Sequence, residues 1–240
     1  MSDLNVEVQA GVAVATFDRP DRMNACRRQT YRELHELALQ YAAEPEWRAL
    51  VLTGAGRAFC AGQDLDEVAN GPPPADEIGP LLQLLQDITR RLLDAGKPLV
   101  AAINGPSVGF GVEITLCCDL RIASELAWFM LPELKHGLFH TNGTYHLLPR
   151  IAGPSLAADM ILTARKVDVA EAMRAGLVSR VVTAEHLLPA AIGAAAALAK
   201  LDPEALRFAR EGLRASAGMT LEDALAFEAR ACQALLTRER

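Results

Sequence analysis

Residues 97–124 read K-P-L-V-A-A-I-N-G-P-S-V-G-F-G-V-E-I-T-L-C-C-D-L-R-I-A-S. The apolar run Leu99–Ile103 is bounded by Pro98 and by Asn104, Gly105 and Pro106, which predicts a fully buried strand ending in a turn. The chain then passes through Gly109 and Gly111 into a second apolar segment, residues 112–118, which opens as a buried helix. At a helix start the first backbone N–H groups lack intrahelical partners, so those of Phe110 and Gly111 are available to a developing negative charge. Glu113 follows about one turn later, inside a run that is expected to be desolvated. A purely structural reading also fits this stretch: the glycines let a strand meet a helix closely, and Glu113 pairs with an arginine. G-x-G without a third glycine is a weak signal, so the rest of the chain has to decide.

The 240 residues are enough for one large domain, or a domain with a smaller appendage, and for a sizeable core. Apolar residues make up 51% and charged residues 22%, with a net charge of -6, a balance that suits a soluble globular protein and disfavours nucleic acid as a partner. Cys26, Cys60, Cys117, Cys118 and Cys232 show no C-x-x-C spacing. Their odd number, and an N-terminus without a charged-then-apolar leader, predict reduced, mostly buried thiols in a cytoplasmic protein. No run has the uninterrupted apolar length of a membrane span.

Working outward, β-formers at residues 6–9 and 12–17 flank Ala10 and Gly11 and predict an N-terminal hairpin. Tyr31, Leu34, Leu37, Ala38 and Tyr41 recur at helical spacing until Pro45, and a strand is expected at residues 49–52. Strand, strand, helix, strand favours an α/β layer arrangement. The loop at residues 53–65, T-G-A-G-R-A-F-C-A-G-Q-D-L, carries small residues that let a ligand approach the main chain, and Asp64 is suited to cap a short helix from Leu65. With no G-K-[ST] and no G-x-G-x-x-G it is not a nucleotide-binding loop. Residues 71–74, G-P-P-P, mark a break with the character of a mobile surface loop, after which Leu81, Leu82, Leu85, Ile88, Leu92 and Leu93 line one helix face.

Beyond the opening stretch, residues 119–123 and 127–129 read as short strands, and Pro132 makes Glu133 leave the sheet at a defined place. His136, His140 and His146 follow, but no acidic or cysteine partner stands at metal-ligand spacing, so no metal is expected. The last third is helical. Helices are predicted at residues 154–163, at 168–175 with the capping box Asp168 and Glu171, at about 184–200, at 203–216 and at 220–237, with a short strand at 178–182.

A-F-C-A-G-Q-D-L at 58–65, N-G-P-S-V-G-F-G-V-E at 104–113, C-D-L-R-I-A-S at 118–124 and P-E at 132–133 resemble the crotonase family, the enoyl-CoA hydratase/isomerase superfamily. The likeness extends from R-P-D-R-M-N-A at 19–25 to A-G-L-V-S-R-V-V at 175–182, which is most of the chain. Several motifs in the same order are far more specific than any one of them. The resemblance implies an α/β fold, a spiral of repeated β-β-α units over residues 1–183. Residues 184–240 would form a C-terminal helical region that builds a homotrimer, often paired into a hexamer.

It also implies an acyl-CoA thioester substrate, with coenzyme A as part of the substrate and no separate cofactor, a place in fatty acid metabolism, and no nucleic-acid or membrane partner. By motif position the thioester oxygen sits between the backbone N–H groups of Ala61 and Phe110, where Phe110 stands in a place that is frequently glycine. Glu113 and Glu133 match the catalytic glutamates of the hydratases. Substrate contacts fall on Arg22, Met23, Ala25, Arg57, Ala61, Gly62, Gln63, Asp64, Leu65, Phe110, Gly111 and Pro132. Hydration needs one group to activate water and another to protonate the α-carbon, which two carboxyls provide. Isomerisation through Glu133 alone, hydrolysis, C–C cleavage and a non-catalytic scaffold remain alternatives.

Three departures stand out. His140 and Thr141 replace a proline-glycine-rich turn beside Glu133. Gln63 occupies a commonly small position, and the final helix is expected to stop at residues 238–240, R-E-R, without the basic tail that touches CoA phosphates in similar proteins.

Overall fold

A computed structural model describes residues 2–69, 71 and 73–238. Part of the expected G-P-P-P break, at Pro72, and the last two residues therefore lie outside the described residues. Strands β1 (Leu4–Gln9) and β2 (Val12–Phe17) form the predicted hairpin, with Ala10 and Gly11 both at positive φ, 50° and 79°. Helix α1 (Arg28–Ala43), strand β3 (Ala49–Gly54) and helices α2 (Leu65–Ala69) and α3 (Ala75–Asp94) follow. Next come β4 (Leu99–Ile103), β5 (Ser107–Val108), α4 (Phe110–Leu116), β6 (Leu120–Ser124) and β7 (Trp128–Met130). A 3-10 turn at Glu133–His136 leads to α5 (Thr144–Ala152), α6 (Pro154–Thr163), β8 (Val167–Asp168), α7 (Val169–Arg174) and β9 (Arg180–Val182). The chain closes with α8 (Ala184–Ala199), α9 (Pro203–Ala215) and α10 (Leu221–Thr237).

The larger sheet has six strands in the order β1-β2-β3-β4-β6-β9, parallel throughout except for the β1–β2 pair. A smaller sheet, β5-β7-β8, runs beside it, and single parallel bridges at Cys26–Gln63 and Cys60–Ser107 continue its line. Each turn of chain thus places one strand in the large sheet, one short extended piece in the small ladder, and then a helix. This is the repeated β-β-α spiral of the crotonase fold.

Alternation along the strands explains why both faces of the large sheet are covered. Leu50, Leu52, Leu99, Ala101 and Ile103 enter the main core with Tyr31, Leu34, Leu37 and Tyr41 of α1 and Ile88 and Leu92 of α3. Ala49, Val51, Val100, Ala102 and Ile122 point the other way, onto Leu187, Ala191 and Ala195 of α8. The division expected at 183/184 is therefore a change of architecture and not a boundary between separate cores: without α8 one face of the sheet would be bare.

Two local details differ from the expectation. Helix α3 starts six residues before Leu81 and carries Pro80 inside it, at the cost of the bond to the Asp76 carbonyl, because Asp76 and Glu77 in its first turn complement the N-terminal dipole. Asp168 caps α7 through the Glu171 N–H at 2.8 Å, but the Glu171 carboxylate turns to Arg165, so only half of the capping box forms. No helix among the described residues is long and apolar enough to cross a membrane.

Candidate active site

The parallel strands deliver their following loops to one edge of the large sheet, and the motif residues collect there. Asn24, buried and at φ 58°, staples two of these loops: its side-chain carbonyl accepts from the Arg19 N–H at 2.9 Å, and its amide donates to the Ala55 and Ala58 carbonyls at 2.9 and 2.8 Å. Arg19 donates to Asp64 at 2.8 Å and to the Ala25 carbonyl. Burial opposes ionisation of Asp64, yet Arg19 and the Asp66 N–H more than offset it and hold the carboxyl below the usual range. Asp64 also caps α2 as expected, accepting from Asp66 at 3.0 Å.

Backbone pairing in this loop corrects one expectation. The Ala61 N–H donates to the Met23 carbonyl at 3.0 Å and is not directed at a ligand. Cys26 bridges the carbonyl of Gly62, at 2.7 Å, and the N–H of Asp64, at 2.8 Å. In a parallel bridge the residue between those two turns its N–H away from the partner strand. That residue is Gln63, and among the described residues its N–H makes no hydrogen bond, nor do those of Phe110 and Gly111.

Two glycines bring these donors together. Gly62 has φ 87°, and a Cβ there would lie 2.8 Å from the Val108 carbonyl oxygen. Gly109 has φ 52°, and a Cβ there would lie 2.6 Å from Glu133 Oε1 and 3.9 Å from the Gly62 Cα. Side chains at either position would push the two loops apart. Gln63, Phe110 and Glu133 thus flank a single contact.

Glu113, nearly inaccessible, pairs with no arginine among the described residues. Its Oε1 accepts from the Thr141 N–H (3.1 Å), the Asn142 N–H (3.3 Å) and the Thr144 hydroxyl (2.7 Å), and its Oε2 accepts from the Asn142 amide (2.9 Å). All four donors are neutral, and Oε2 keeps room for one more.

Glu133 opens the 3-10 turn after Pro132. Its Oε2 lies 2.9 Å from Nε2 of His140, whose side chain is fully buried. The approach is at ion-pair distance but off hydrogen-bond geometry, and among the described residues neither atom has another partner. The other ring nitrogen of His140, Nδ1, faces the Tyr145 hydroxyl at 3.4 Å. Partial burial, followed by Glu133 and Glu113, raises the Tyr145 phenol.

The remaining expected contacts are spread around this centre. Met23, with φ 51°, and Ala25 are half-buried beside the Ala61 strand piece, and Leu65 and Gln63 are exposed at the mouth. Arg22 is exposed and paired with Asp66 at 2.8 Å, while Arg57 is exposed, its guanidinium making no hydrogen bond or ion pair among the described residues. Asn142, Thr144 and Tyr145 escaped the sequence reading. Only their nearness to the unusual His140-Thr141 pair gave a signal.

The enoyl-CoA hydratase/isomerase family model matches residues 7–240. The chain belongs to the enoyl-CoA hydratase/isomerase family. A probable enoyl-CoA hydratase of Rhizobium meliloti (strain 1021) is 37% identical over 236 residues, 98% of this chain and 90% of that protein. A carnitinyl-CoA dehydratase of Proteus mirabilis (strain HI4320) is 34% identical over 221 residues, 92% of this chain and 83% of that protein. The crystal structure of an enoyl-CoA hydratase from Bacillus anthracis superposes with a TM-score of 0.92 at 30% identity, covering 99% of this chain and 92% of the other. In this family member, a separate cavity of about 230 Å³ lies at the opposite edge of the sheet, between Trp47, Lys97 and Pro203, away from both glutamates.

Proposed function

We propose that the protein hydrates a 2-enoyl-CoA to a 3-hydroxyacyl-CoA. The observation that carries this reading is that one segment, residues 140–144, holds both carboxyls: Thr141, Asn142 and Thr144 fasten Glu113, and His140 abuts Glu133. Relatives named as a hydratase and a dehydratase favour it over isomerisation, which needs Glu133 alone.

In this reading the thioester oxygen lies between the N–H groups of Gln63 and Phe110. Donors aimed at a developing enolate oxygen are worth about 3 kcal/mol each. A water on Oε2 of Glu113 attacks the β-carbon as Glu113 takes its proton, while Glu133 supplies the proton to the α-carbon. In this reading the CoA phosphates meet Arg57 and Arg22, both exposed. The exposed leucines of the last two helices, Leu213, Leu221, Leu225 and Leu236, support a trimer or a dimer of trimers. Four of the five cysteines are buried and all are free, which fits a reducing cytoplasm.

Purified protein mixed with short, long, branched and cyclic 2-enoyl-CoAs in oxygen-18 water tests the proposal. Hydration gives a product heavier by one labelled water. A double-bond shift without oxygen uptake would establish isomerisation in its place.

A further inference from the structure

His140 is the unexplained member of the site. Its ring is buried without access to solvent, and of its two nitrogens one meets a carboxylate and the other a phenol: Glu133 Oε2 at 2.9 Å and Tyr145 Oη at 3.4 Å. Tyr145 is 46% exposed, so the sequence Glu133, His140, Tyr145 runs from the interior to water. Phe139 stacks on Tyr145 with ring centroids 5.0 Å apart, and both rings pack edge-on to the imidazole, which fixes its plane. The titratable groups around the ring are Glu133 on the turn after β7, Tyr145 on α5 and, one residue along the loop, Glu113 on α4. Lys135, the nearest lysine in sequence, is tied to the Ala164 carbonyl at 2.8 Å.

Proton balance says what such a chain is for. In hydration, water adds its oxygen to the β-carbon and leaves its proton on Glu113, while Glu133 gives its own proton to the α-carbon. Each turnover therefore ends with Glu113 protonated and Glu133 ionised. One proton has to leave the first and another has to reach the second. The donors around Glu113 are amides and hydroxyls, and its proton can depart only through the water site on Oε2. Glu133 has His140.

We infer that His140 positions Glu133 and relays the proton that recharges it, drawing on solvent through Tyr145. In the relay, a turn of the Glu133 carboxylate brings Oε2 into line with Nε2 and takes its proton, Nδ1 takes the Tyr145 hydroxyl proton, and the phenolate is reprotonated by water; the ring, left in its Nδ1–H form, returns to the Nε2–H form when water admitted at product release protonates Nε2 and Nδ1 gives its proton back through Tyr145. No oxidant or cofactor is needed, and the net change is one proton moved from solvent to Glu133. The raised phenol of Tyr145 keeps its proton at neutral pH until the imidazole draws it. The inference rests on the hydratase reading and adds a residue to it.

The test compares wild type, His140→Ala, His140→Gln and Tyr145→Phe in hydration of crotonyl-CoA, with kcat, KM and the pH dependence of kcat. His140→Ala is expected to lower kcat by about 100-fold with KM little changed, to lose one ionisation from the kcat profile, and to recover activity when imidazole is added. His140→Gln keeps a donor against Glu133 without relaying protons, so it falls equally and imidazole does not restore it. Tyr145→Phe lowers kcat by a smaller factor, about tenfold, with the profile intact. Wild-type kcat and pH profile in both His140→Gln and Tyr145→Phe would overturn the inference, as would an imidazole-insensitive loss with an unchanged profile in His140→Ala. If the alanine variant does not fold, the other two decide. A wild type that binds acyl-CoA but adds no water sinks the hydratase reading itself, and the relay with it. A hydrating wild type with indifferent variants sinks the relay alone.

Discussion

Gly109 stands where any other residue would strike Glu133: a Cβ there would come within 2.6 Å of the carboxylate oxygen Oε1. Its positive φ of 52° adds a conformational demand that L side chains meet poorly. The glycine spacing of the opening stretch is thus a clearance for a carboxylate that arrives from more than twenty residues further along the chain.

Gly109→Ala should displace Glu133 and strain the turn, at about 1–3 kcal/mol. The expected outcome is a loss of kcat larger than the accompanying fall in melting temperature would explain. Unchanged kcat would mean that Glu133 reacts from another position.

Glu113→Gln and Glu133→Gln should each lower hydration by about 10²–10⁴-fold with little change in CoA-thioester affinity. Their stabilities should differ. A glutamine at 113 turns an amide N–H₂ toward groups that all donate, so its melting temperature falls, whereas Glu133 has only His140 to lose. Full-rate incorporation of labelled oxygen by Glu113→Gln would refute the two-carboxylate mechanism.

Arg210, almost fully buried on α9, grips both oxygens of Asp119 through Nε at 2.9 and 2.8 Å, and Asp119 in turn accepts the Leu99 N–H at 2.8 Å. Arg210→Met should leave Asp119 without its counter-charge and cost about 3 kcal/mol, read as a lowered urea midpoint. The double variant with Asp119→Asn should recover part of that loss.

Acid stability should depend on Asp3 and Asp64. For each, burial acts against the charge, but the bonds from Arg27 and Thr30 to Asp3, and from Arg19 to Asp64, hold the folded carboxyl below its ordinary 3.8. Such groups stabilise the fold above the unfolded value and lose that contribution as pH falls through the folded one. Urea midpoints should therefore drop below about pH 4 in the wild type, and drop less in Asp3→Asn and Asp64→Asn, which start lower. An equally steep fall in both variants would assign acid unfolding to other groups.

Light scattering at micromolar concentration should give the mass of a trimer or a dimer of trimers. Ending the chain at residue 202 should cause aggregation, since α9 and α10 cover apolar surface and carry Arg210. A monomeric mass for the intact chain would remove the assembly proposal.

Strand Leu99–Ile103 was legible to the residue because both of its faces are buried, which makes the sequence continuously apolar between turn signals. The hairpin and α1 were equally readable, since each depends on residues within a few positions of one another. The start of α3 was not, because its first turn is exposed and has no apolar period to mark it.

The motif order carried the family, the two glutamates and the glycine-rich loops, all of which are properties of residue type and spacing along one chain. Which N–H in the 58–65 loop stays free was decided elsewhere: Met23 and Cys26 pair with that loop, and their register commits Ala61 and releases Gln63. A single residue of register reverses every donor, and no local pattern encodes it. The surroundings of the carboxyls follow the same logic. Glu113 and Glu133 are written in the sequence, but the cage of neutral donors on one and the imidazole against the other exist only because residues 140–144 fold back over both.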